Sequence, residues 1–166
     1  MTKALVIVHA EQSYADVDAD NKRGIRETFD RIAGEIPRFL MQGDPVYFFG
    51  QKARTADSPC VYEKIRTFAK DIAFIHTESD VGQEYLRVKE QLISDSIDKI
   101  VLAGVSRLQC VAEVYDLLSG ENRAPQRVKL ETYQKGAQEL GRDEERFERI
   151  YKARLNVCVD YSLTAI

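Results

Sequence analysis

Residues 97–111 read IDKIVLAGVSRLQCV, and their reading decides the fold. Ile100, Val101, Leu102 and Ala103 form an apolar run too short for a helix, which predicts a strand buried on both faces. Gly104 ends it. Leu108, Val111, Tyr115 and Leu118 then recur at helical spacing, so a helix opens within a few residues of the glycine. A strand that turns a tight corner straight into a helix is the repeating unit of a parallel sheet covered by helices.

The same pattern extends in both directions. Residues 4–8, ALVIV, are a second run of this kind, closed by His9. Residues 45–49, 72–75 and 128–132 supply further strands, and at 156–161 Val157, Val159 and Tyr161 alternate with Cys158 and Asp160, as an edge strand would. Between them lie helical patterns. Ile25, Phe29, Ile32, Ile36 and Phe39 form one stripe, with Pro37 placed to kink it or begin its last segment and Gly43 to stop it. Ser58 and Pro59 offer a cap and first-turn proline for a helix carrying Val61, Ile65 and Phe68. Ser79 or Asp80 can cap a helix whose apolar face is Val81, Tyr85, Val88 and Leu92, and a last helix is expected over 143–151. The polar stretch through Asp20 reads as a loop.

With 166 residues, no internal repeat and no linker, residues 1–166 are expected to form one α/β domain. Hydrophobic residues make up 44% and charged residues 31%, an ordinary globular balance. A net charge of -3 gives no reason to expect nucleic acid or an anionic membrane as a partner, and no apolar run is long enough to span a bilayer. The N-terminus lacks a signal-peptide pattern, so the expected location is cytoplasmic. Cys60, Cys110 and Cys158 are far apart and odd in number, which argues against a disulfide framework and a zinc finger.

In sheets of this kind ligands sit beyond the carboxyl ends of the strands. Neither Gly-x-Gly-x-x-Gly nor Gly-x-x-x-x-Gly-Lys-Ser/Thr occurs, so phosphate cradling has no support and no cofactor is expected. The Gly104-Val105-Ser106 corner is like a serine nucleophile elbow, but Leu108 stands where a second glycine is needed. What remains is Cys110, just inside the helix. Free amides at a helix start favour a thiolate and can form an oxyanion hole. The plainer alternative is a small hydrophobe packed beside Val111.

Residues 4–14 (ALVIVHAEQSY), 97–111 and the closing helix with 155–163 together resemble the isochorismatase-like cysteine hydrolases, among them nicotinamidases and N-carbamoyl amidohydrolases. The resemblance implies a three-layer α/β/α architecture with a mostly parallel six-stranded sheet in the order 3-2-1-4-5-6, and often an assembly of identical chains. It also implies an Asp after strand one, a Lys after strand three and the Cys, with a cis peptide after the Gly-Val corner. Here the Asp position is His9 and the Lys position is Thr77, so only Cys110 is kept. Arg107, Leu108 and Gln109 depart from the smaller residues usual before the Cys.

His9 can replace the acid, because imidazole beside a thiol is itself an effective base; the alternative is a ring that caps strand-end carbonyls. Glu11 can enter the vacated acid role, and Asp16 or Asp18 can reach in from the loop. Lys52, Arg54 or Lys135 are spare cations. A zinc site from His9, His76 and Cys110 has admissible ligand types but no close spacing, and no metal is expected. The expected pocket therefore has Cys110, His9 and Glu11 as catalytic candidates, bordered by His76, Thr77, Val105, Ser106, Arg107 and Gln109. Its partner is a small molecule, hydrolysed at an amide or related C–N bond through a Cys110 thioester. The alternative is a catalytically silent relative used for ligand binding or assembly.

Overall fold

The computed structural model describes residues 2–21, 24–50, 55–76, 81–107, 109–119 and 155–165. In chain order these form β1 (Lys3–Val8), α1 (Gln12–Asn21), α2 (Ile25–Met41), β2 (Val46–Gly50), α3 (Glu63–Arg66), β3 (Ile72–His76), α4 (Val81–Ser94), β4 (Lys99–Gly104), α5 (Cys110–Ser119) and β5 (Asn156–Thr164). The described strands make one sheet in the order β3-β2-β1-β4-β5, every pair parallel. The strand expected at 128–132 and the helix expected at 143–151 lie outside the described residues. Asn156–Thr164 pairs directly with β4.

Alternation along each strand divides the core between two faces. Leu5 and Ile7 of β1, Val46 and Phe48 of β2, and Val101 and Ala103 of β4 meet Phe29, Ile32 and Ile36 of α2 and Ile65 of α3. Ala4, Val6 and Val8, with Tyr47, Phe49, Ile100 and Leu102, meet Val88 and Leu92 of α4 and Val111, Val114 and Leu118 of α5. Both faces of β1 are therefore covered, which is why its residues from Ala4 to Val8 are continuously apolar and fully buried. Burying a side chain such as Phe29 completely contributes on the order of 2–3 kcal/mol.

Two local readings are corrected. The polar stretch before Asp20 is the helix α1, not a loop; it lacks an apolar stripe because few of its side chains face the core. Asp18 explains part of its placement: its Oδ2 accepts the Arg26 amide at 2.7 Å, supplying the first turn of α2 with the acceptor that Gly24 cannot offer. The helix expected to begin at Pro59 is only the single turn Glu63–Arg66. Ser58 instead heads a turn, its carbonyl accepting the Val61 amide at 2.9 Å, because Val61 is drawn into an antiparallel bridge with Glu11. The helix α2 continues through Pro37 to Met41, and Gly43, at φ 76°, donates to Leu40 O to close it.

Candidate active site

The site is built where β1 and β4, adjacent strands at the middle of the sheet, both end. At the end of β1 the chain turns sharply, with His9 at φ 51°, a left-handed conformation that costs roughly 1 kcal/mol or more for a residue with a Cβ. The His9 amide donates to Phe49 O at 2.7 Å, and its ring sits edge-on to the Phe49 ring at 5.9 Å. Immediately afterwards, Tyr62 N donates to Ala10 O and Gln12 N to Cys60 O, flanking the bridge between Glu11 and Val61. This clamp turns Glu11 into the interior, where it is 2% exposed. Its carboxylate fills space that only a glycine leaves open: a Cβ on Gly50 would stand 3.3 Å from Glu11 Oε1.

At the end of β4, Gly104 has φ 124°, and a Cβ there would lie 2.0 Å from Val8 O. The corner thus demands glycine on steric grounds. Val105 N returns to Val8 O at 3.0 Å, and the Val105–Ser106 peptide is cis, as the resemblance implies. Ser106 O accepts the amides of Gln109 and Val111 at 3.1 and 3.0 Å, which opens α5 with Cys110 as its first residue. Among the described residues, the amides of Ser106 and Cys110 donate to no carbonyl.

The two strand ends meet at His9. Its imidazole interacts with the half-buried Cys110 side chain, and its Nδ1 lies 3.7 Å from Glu11 Oε1, an ion-pair separation rather than a direct hydrogen bond. Burial alone would lower the imidazole pKa. Its interactions with Cys110 and then Glu11, and the negative charge of both, outweigh burial and raise it to about 9. His9 is therefore an imidazolium at neutral pH, 1% exposed, and its ring does not cap strand-end carbonyls: Nδ1 has no hydrogen-bond partner among the described residues.

The other sequence candidates fall in different places. Val105 is buried, Ser106 and Arg107 half-buried, and Gln109 exposed. His76 ends β3 opposite Gly50, with β2 between its strand and β1. Thr77, Lys52, Arg54 and Lys135 lie outside the described residues. Asp16 and Asp18 do not reach the site: Asp16 is an exposed partner of Arg26 and Asp18 caps α2. One residue was missed. Tyr14, in the first turn of α1 and 37% exposed, has its phenol pKa raised by burial and then by the negative charges of Cys110 and Glu11, so it lies within electrostatic reach of both. Its position three residues after Glu11 was a usable signal once that stretch was recognised as helical.

This arrangement, a three-layer α/β/α sandwich with a cysteine opening the helix after a central strand, defines an α/β fold of the isochorismatase-like type. Solved structures bear this out. An N-carbamoylsarcosine amidase from Thermoplasma acidophilum superposes with a TM-score of 0.63 at 15% identity, over 100% of this chain and 85% of its own. A nicotinamidase from Staphylococcus aureus gives 0.58 at 16% identity, over 99% and 86%. An isochorismatase from Pseudomonas putida KT2440 gives 0.55 at 13% identity, over 96% and 88%. No protein-family model matches the sequence, nor does any curated protein. The similarity is one of fold. Among the described residues no helix is long and apolar enough to cross a membrane.

Proposed function

We propose that the protein is a cysteine hydrolase that cleaves a small amide, or a related non-peptide C–N bond, through a thioester on Cys110. One observation carries this reading: a half-buried thiol at the opening of α5 interacts with a buried imidazolium backed by a buried carboxylate. A thiol placed beside an imidazolium at the opening of a helix is suited to nucleophilic attack.

In this reaction the Cys110 thiolate attacks the carbonyl carbon, and the oxygen takes up the negative charge beside the amides of Ser106 and Cys110. The C–N bond then breaks, and His9 gives its proton to the departing amine. Neutral His9 next takes a proton from the water that attacks the thioester, the acid leaves, and the thiolate and imidazolium are restored. His9 thereby performs the proton transfers that the resemblance gives to an aspartate. Glu11 keeps the ring oriented and its cationic form favoured. The names of the structural neighbours, a nicotinamidase and an N-carbamoylsarcosine amidase, fit this bond class.

A second reading, a silent relative that binds ligand or assembles without turnover, is favoured by His9 and Thr77 at the positions of the family Asp and Lys. Hydrolysis of a panel of nicotinamide, carbamoyl and simple aliphatic amides separates the two. The hydrolase reading expects turnover in the wild type, none in Cys110→Ser, and a loss of about 10²-fold or more in His9→Asn. Wild-type rates equal to Cys110→Ser across the panel support the silent reading.

A further inference from the structure

The turn that delivers Cys110 also carries Arg107, which, like Arg66 and unlike Arg26, Arg31 and Arg38, has no carboxylate within ion-pair distance among the described residues. Arg26, Arg31 and Arg38 each lie within 4.0 Å of a carboxylate. Arg107, half-buried, has no carboxylate partner among the described residues. It is nevertheless fixed at both ends. Its amide donates to Ala165 O at 2.7 Å, and its guanidinium lies over the Tyr161 ring, 5.7 Å from the centroid.

Tyr161 is in position to receive it because β5 leaves its regular register there. β4 advances only from Leu102 to Gly104 while β5 advances from Val159 to Thr164. The extra residues bulge out at the carboxyl edge of the sheet, a device that re-aims side chains. Asp160 builds the bulge: its Oδ1 accepts the Ser162 amide at 2.9 Å and the Ser162 hydroxyl at 2.6 Å. Tyr161 is left 68% exposed, with its face holding the Arg107 guanidinium. A guanidinium oriented by an aromatic face, with no carboxylate partner among the described residues, is suited to a planar carboxylate.

We propose that Arg107, seated on Tyr161, is the anion-recognition residue of the Cys110 site, so that the substrate is a small amide carrying a carboxylate. This rests on the hydrolase reading and narrows it. Arg107 sets specificity and does not touch the reacting atoms.

Two alkylating reagents of nearly equal size test it on the intact protein, without knowledge of the substrate. Iodoacetate is anionic and iodoacetamide neutral, and in both cases the sulfur displaces iodide. Rates at Cys110 are read by peptide mass mapping, with Cys60 as internal reference. Arg107→Gln is expected to lower the iodoacetate-to-iodoacetamide rate ratio about fivefold to tenfold, as loss of one nearby charge in a partly screened site predicts. Tyr161→Leu, which keeps the charge but removes its seat, should give a smaller fall, and it also serves if the arginine variant folds poorly. Arg31→Gln, which removes a surface charge paired with Glu27 on α2, should leave the ratio unchanged. A wild-type ratio in both Arg107→Gln and Tyr161→Leu, with Cys110 still labelled faster than Cys60, overturns the anion subsite alone. Labelling of Cys110 no faster than Cys60 by either reagent overturns the hydrolase reading and the subsite with it.

Discussion

The two ends of the sheet satisfy their polar groups in opposite ways. At the amino end, Asp98 Oδ2 accepts the Thr2 amide at 2.8 Å, Asp44 Oδ1 accepts that of Lys3 at 3.3 Å, and Tyr47 donates to Asp95 at 2.7 Å. These are ordinary, largely surface bonds between near neighbours in space. At the carboxyl end, an imidazolium and a carboxylate are buried together beside a thiol, two amides at the α5 corner donate to no carbonyl among the described residues, and His9 and Gly104 take positive φ. Folding pressure alone pairs buried polar groups and avoids such backbone. The amino end obeys the pairing rule, although Gly43 and Ser96 take positive φ there as well. The carboxyl end departs from it around one space, as sites that bind or react commonly do.

Placing the same substitution at each end breaks this comparison most forcefully. Gly104→Ala sets a Cβ against the Val8 carbonyl at 2.0 Å, whereas Gly43→Ala meets nothing within 4 Å. Both have positive φ, so Gly43→Ala should cost only the backbone term, about 1 kcal/mol. Gly104→Ala should cost roughly 4 kcal/mol or more, or prevent folding. Urea unfolding of both variants measures the difference, and similar losses would remove the steric argument for the corner.

A smaller effect sharpens the contrast through pH. His9 has a folded pKa of about 9, above the ordinary imidazole value of 6.5, so the stability it contributes is complete below about pH 6.5 and is lost as pH rises through 9. Lys89 acts in the opposite sense: burial lowers its pKa from 10.5 to about 8, so its burden on the fold is relieved as pH rises through that range. The difference between wild type and His9→Asn, measured by urea unfolding across pH 6.5 to 9, therefore isolates His9. It should shrink steadily as pH rises, and a constant difference would contradict the pairing.

Much of this carboxyl end was legible in the sequence, for identifiable reasons. Apolar runs too short for helices mark the central strands, and placing His9 and Cys110 just beyond two of them brought both to one edge before any contact was known. What escaped depended on tertiary contacts. The helix α1 has no stripe to reveal it, and its last turns are placed by Asp18 reaching across to the amide of Arg26. The burial of Glu11 comes from the bridge to Val61, a partner fifty residues away in the sequence. Tyr161 was read as one more alternating residue, although the Asp160-Tyr161-Ser162 sequence carries the Asx-turn chemistry that forms the bulge.

The pairing of His9 with Cys110 is tested most directly by following the His9 ring by nuclear magnetic resonance as pH is raised, in the wild type and in Cys110→Ser. The protein has two histidines, His9 and His76, and loss of one signal in His9→Asn assigns them. The account predicts a wild-type midpoint near 9, held there by Cys110 and Glu11 against burial, and a clear fall in Cys110→Ser, where burial is opposed by Glu11 without the thiolate. A wild-type midpoint at the ordinary 6.5, or one unmoved by Cys110→Ser, would contradict it.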